Sequence, residues 1–86
     1  MNTQADWYNK NCSKSNQDII KQLTEEAKAT SEKSSSIYTK CMKIETDTSV
    51  CNTFEEIVKD DIRRYKSLID YNAETRTKCE FYAKYF

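Results

Sequence analysis

Histidine, glycine and proline are all missing from this chain of 86 residues. Without histidine there is no imidazole base working near neutrality and no imidazole metal ligand. Without glycine there is no phosphate-cradling loop, no dinucleotide-binding turn and no nucleophile elbow. Large aliphatic residues are scarce as well, with seven Ile, two Leu and two Val beside three Phe. Fourteen basic residues balance 14 acidic ones, so self-repulsion does not oppose collapse of this lean chain. A pI near 6.3 leaves no basic footprint for nucleic acid. No apolar run approaches the length of a bilayer span. Neither nucleic acid nor a membrane is therefore expected as a partner.

Four cysteines are present: Cys12, Cys41, Cys51 and Cys79. An even count in a short chain reads as a disulfide framework formed in an oxidising, extracellular compartment. A zinc site is not expected, because the cysteines form no close CxxC pairs and no histidine can replace them. Residues 1–86 read as a single secreted domain, with Met1 as an initiator on a mature sequence. Asn11-Cys12-Ser13 matches a glycosylation sequon, and an unmodified Asn beside a disulfide is the expectation there.

Lys, Glu, Gln and Ala fill the periodic stretches, and the commonest helix breakers are absent, so helix is the default. Tyr8, Cys12, Ile19, Leu23 and Ala27 draw one stripe, with Thr3 and Ser15 as alternative N-caps. A short N-terminal turn followed by a helix from about Ser15 is expected. Ser34-Ser35-Ser36 reads as a junction, followed by a second helix through Ile37, Cys41 and Ile44. Thr53-Phe54-Glu55-Glu56 reads as a capping box opening a third helix through Val58, Ile62, Tyr65 and Ile69. Its outer face offers the pairs Glu55–Lys59 and Asp60–Arg64. The periodicity runs on through Cys79, Ala83 and Phe86, but a helix that long would outrun its neighbours. A break near Tyr71-Asn72-Ala73 is therefore expected. The sum is an all-α fold of four short helices in a small bundle stapled by two disulfides.

Aromatic residues crowd both termini: Trp7 and Tyr8 precede Cys12, while Phe81, Tyr82, Tyr85 and Phe86 follow Cys79. Joining Cys12 to Cys79 lets these ends cover each other, and Cys41 to Cys51 then staples the turn. Cys12–Cys51 with Cys41–Cys79 is the next pairing. No catalytic residue, cofactor or metal set is expected, since carboxylates such as Glu56 and Asp60 sit on a solvated face with nothing to build a reaction centre. A monomeric interaction protein is the leading reading, with Arg63, Arg64, Tyr71, Tyr82 and Tyr85 as candidate contact residues. The alternative is a carrier whose apolar cavity is lined by Met42, Phe54, Tyr65 and Leu68.

The four cysteines, the Trp7-Tyr8 opening and the lack of Gly and Pro resemble the small salivary proteins of blood-feeding insects, the sand-fly anti-complement type in particular. That resemblance covers features of the whole chain and transfers no functional residue. It implies immune evasion by inhibition of a host plasma protein, in the classical complement pathway first and in coagulation second.

Overall fold

The computed structural model describes residues 3–85; Met1 and Phe86, which figured in the expectations above, lie outside them. Three α-helices and one short 3-10 turn make up this span: α1 (Thr3–Asn11), α2 (Lys14–Ile44), the 3-10 turn (Thr48–Cys51) and α3 (Asn52–Ala83). The molecule is all-α, but it is not a four-helix bundle. It is a hairpin measuring 62 × 18 × 16 Å, in which α2 and α3 form the two arms and α1 packs on both at the open end.

The expected junction at Ser34-Ser35-Ser36 does not exist, because α2 runs through it for 31 residues. Of the three serines, Ser34 bonds back into the helix, and hydroxyls elsewhere along α2 do the same. Thr24 Oγ1 donates to the Ile20 carbonyl (2.8 Å), Ser31 Oγ to Lys28 (2.8 Å), Ser34 Oγ to Ser31 (3.1 Å) and Thr39 Oγ1 to Ser35 (2.9 Å). The break expected at Tyr71-Asn72-Ala73 is also absent. A long third helix needs a partner along its length, and the continuous α2, 31 residues against the 32 of α3, supplies it.

Packing follows a coiled-coil rhythm of threes and fours. The less exposed positions of α2 include Ile20, Thr24, Ala27, Ser31, Ser34, Tyr38 and Cys41, with Asn16 and Ser35 at their side. Those of the opposite arm include Val58, Tyr65, Leu68, Asn72, Thr75, Cys79 and Tyr82. Two disulfides set the register, Cys12–Cys79 at one end and Cys41–Cys51 at the other. Hollows bordering the seam bring the arms together, Ile20 with Asn72 and Thr75, Ala27 with Asp61, and Ser31 with Tyr65. Small side chains on α2 thus admit the larger Tyr65 and Leu68. Ile19 and Leu23, expected on the inner stripe, are exposed, and Ile20 is the buried residue. Ile62 and Ile69 are likewise outside the seam.

Helix ends are built without a single residue at positive φ among those described. Ser13, not Ser15, caps α2 by accepting from the Asn16 N–H (3.1 Å). The side chains of Asn16 and Gln17 reach back to the carbonyls of Asn11 and Cys12 (2.8 and 2.9 Å), satisfying the end of α1. Asn11 Nδ2, the atom a glycan would take, donates to the Trp7 carbonyl (2.9 Å). Thr53 is not an N-cap, since α3 begins at Asn52 directly out of the 3-10 turn. Asp47 starts that turn, its carboxylate accepting from the Ser49 N–H (3.1 Å) and hydroxyl (2.7 Å). These bonds hold the Asp47 carboxyl below its usual range, the hydroxyl contributing most.

Candidate protein-binding surface

A hairpin two helices thick buries little: Ile20, Ala27 and Cys51 are its buried apolar residues among those described. Function must therefore be sought on its surface, and the surface is uneven. The open end of the hairpin, beside Cys12–Cys79, carries a run of aromatic rings. Trp7 on α1 meets Tyr82 on α3 edge to face, with centroids 5.7 Å apart. Phe81 continues the run, 5.6 Å from Tyr82 and 5.3 Å from Tyr85. Lys78 Nζ stands 4.8 Å from the centre of the Trp7 ring, a cation–π contact on the outer side. The sequence places these groups together by helical spacing, Phe81 and Tyr85 four apart and Lys78 one turn below Tyr82. The disulfide then draws Trp7 onto them.

Tyr82 is half-buried under Trp7, whereas Phe81 and Tyr85 remain 53% and 68% exposed. Tyr71 lies further down α3, on the rim of an open hollow of about 530 Å³ that it shares with Trp7, Thr75 and Lys78. The structure thus sets Tyr82 against Trp7, Tyr71 on the rim of the hollow that Trp7 lines, and Tyr85 against Phe81. It does not bring Arg63 and Arg64 to them. Arg63 faces outward halfway along the hairpin, 3.3 Å from Asp60, the partner expected for Arg64. Arg64 borders a different hollow, with Glu26, Ala27, Thr30 and Asp61. Trp7, Lys78 and Phe81 were not counted among the contact residues. The i, i+4 spacing on α3 was visible, but Trp7 joins the cluster through a disulfide 67 residues long.

Other chemistries find less support. Glu55 and Glu56 both pair with Lys59 (3.4 and 3.6 Å) on an exposed face, and Glu55 raises the Lys59 pKa. Among the described residues no group of three metal-ligating side chains converges, and no helix is long and apolar enough to cross a membrane. The four residues suggested for a carrier cavity diverge: Tyr65 and Leu68 are half-buried in the seam, while Phe54 and Met42 are exposed nearer the turn.

No protein-family model matches the chain, and no curated protein or solved structure matches it either.

Proposed function

We propose that this is a secreted, non-enzymatic interaction protein that inhibits its target by occupying a surface. The observation that carries the proposal is the exposed aromatic cluster of Trp7, Phe81, Tyr82 and Tyr85, clamped beside Cys12–Cys79. Aromatic side chains contribute much of the energy at protein interfaces, and rings held in place before binding lose little entropy on contact. Two disulfides suit an extracellular setting. A host plasma protein as target, complement before coagulation, rests on the salivary resemblance alone. The carrier reading is weaker, because two helices meeting along one seam leave open grooves in place of an enclosed chamber.

The test is capture from plasma combined with complement and clotting assays. The wild type should retain one plasma protein and slow one cascade. Phe81→Ala with Tyr85→Ala should weaken that binding by about 30-fold or more. Arg63→Glu should change mainly the association rate, by roughly a few-fold at low salt. Absence of inhibition by the wild type would defeat the plasma reading, and full inhibition by the aromatic variant would defeat the site.

A further inference from the structure

One long flank of the hairpin exposes apolar side chains from the turn up to Tyr71, on either side of a charged middle. Leu23, Thr30, Ile37 and Ile44 fall seven residues apart on α2, all on one side of the seam. Val50, Ile57, Arg64 and Tyr71 fall seven apart on the returning arm. The antiparallel register lays these two lines beside each other on the same flank, and the hollow shared by Thr30 and Arg64 shows it directly. Ile37 and Ile57 are 42% and 45% exposed, and Ile44 is 75% exposed. The opposite flank also exposes apolar side chains, Ile62 and Ile69, beside Lys28, Glu32 and Lys66.

We propose that this flank binds a second copy of the chain, face to face, so that two hairpins form a four-helix core. This goes beyond the aromatic-end proposal and stands independently of it. Three observations select a second copy as the occupant. A helix with an apolar stripe must bury it against another layer, and each hairpin lacks that second layer. The area also suffices: a strip roughly 32 Å long, from 1.5 Å per residue, is 18 Å wide. Two such strips hide roughly 1,150 Å², above the roughly 1,000 Å² that a specific interface needs. Finally, the polar middle of the flank is self-complementary in charge. Arg64 shares its hollow with Glu26 and Asp61, yet has no ion-pair partner within its own chain among the described residues. A second copy offers each arginine two carboxylates and each carboxylate an arginine, whereas a strip of one sign would repel its mate. The proposed pair differs from the monomer expected from the sequence.

Sedimentation equilibrium of the oxidised full chain tests this, since one copy weighs 10.1 kDa. The wild type should approach twice that mass at tens of micromolar, whereas a single-copy mass throughout would overturn the proposal. Ile37→Glu with Ile57→Glu should weaken association by about 100-fold or more, because carboxylates would enter an apolar contact. Ile62→Glu with Ile69→Glu, on the other flank, should leave the mass doubled, as should Phe81→Ala with Tyr85→Ala. Loss of the dimer only in the Ile62/Ile69 variant would assign the contact to the wrong flank and defeat the proposal. Isotope-filtered NOEs on a mixed-label wild-type sample avoid any folding defect. Contacts between copies should involve the methyls of Ile37, Ile57 and Val50; contacts confined to Ile62 and Ile69 would overturn the assignment.

Discussion

The two ends of the hairpin are each closed by a disulfide, but their surroundings differ. At the open end, Cys12–Cys79 joins residues 67 apart and is packed about with Trp7 and Tyr82. At the turn, Cys41–Cys51 spans 10 residues, and Cys51 is wholly buried. Ile44 and Val50 beside it are left in solvent. The turn needs little help, because its residues are already close in the chain. The open end must gather segments from opposite ends of the sequence, and it does so with a covalent bond and aromatic area together.

Removing each staple is the sharpest way to break this comparison. Constraining a longer loop removes more entropy from the unfolded chain, so the Cys12→Ser/Cys79→Ser pair should lose about 4 kcal/mol and the Cys41→Ser/Cys51→Ser pair about 2.7 kcal/mol. Urea unfolding of both variants measures the difference. Equal losses would mean that the local turn, not loop length, governs the value of each bond.

A smaller effect is expected between the ends, where small residues of α2 face Tyr65 and Leu68. Ala27→Leu should overpack that seam and cost about 1–3 kcal/mol. Leucine at the exposed Ser36, on the same helix, should change stability by less than about 0.5 kcal/mol. If thermal unfolding shows the two substitutions equivalent, the middle of the hairpin is looser than its ends. Rescue of Ala27→Leu by Asp61→Ala would tie the cost to that part of the seam.

The smallest effect belongs to the turn. Asp47 has its pKa lowered by the Ser49 hydroxyl and N–H. The folded chain therefore holds that proton less tightly than the unfolded chain, and the stabilisation is complete above the ordinary carboxylate range, near pH 4. It fades as pH falls through the lowered value. Asp47→Asn should lower the thermal midpoint slightly at neutral pH, with the gap to wild type closing in acid. A gap that persists unchanged at low pH would show that charge at Asp47 is irrelevant to the turn. Lys59 runs the other way: Glu55 raises its pKa, so its contribution is present at neutral pH and disappears only as alkali takes the proton.

Helix content was readable directly from the residues, since a chain without Gly or Pro and rich in Lys, Glu and Gln has few other options. The Glu55–Lys59 pair was equally local and is present as expected. Helix ends were misread where a local signal had a tertiary competitor. The Thr53 capping box gave way to a 3-10 turn that feeds α3 from Cys51. The three serines looked like a break because serine often leaves a helix, yet Ser34 and Ser35 line the side of α2 that faces α3. The stripe was misplaced by one residue, from Ile19 to Ile20, because both are apolar and only the partner helix chooses between them.

Sequence by itself determined that this chain is helical, charge-balanced, poor in core and able to form two disulfides. Those properties depend on composition and on contacts within one helical turn. Tertiary structure alone decided that the helices run long, that Trp7 meets Tyr82, and that apolar side chains stay exposed on both flanks. Each of those outcomes depends on which residues of one arm lie opposite which residues of the other. That register is fixed by two bonds between distant cysteines and by the fit of small side chains against large ones, which no stretch of sequence contains on its own.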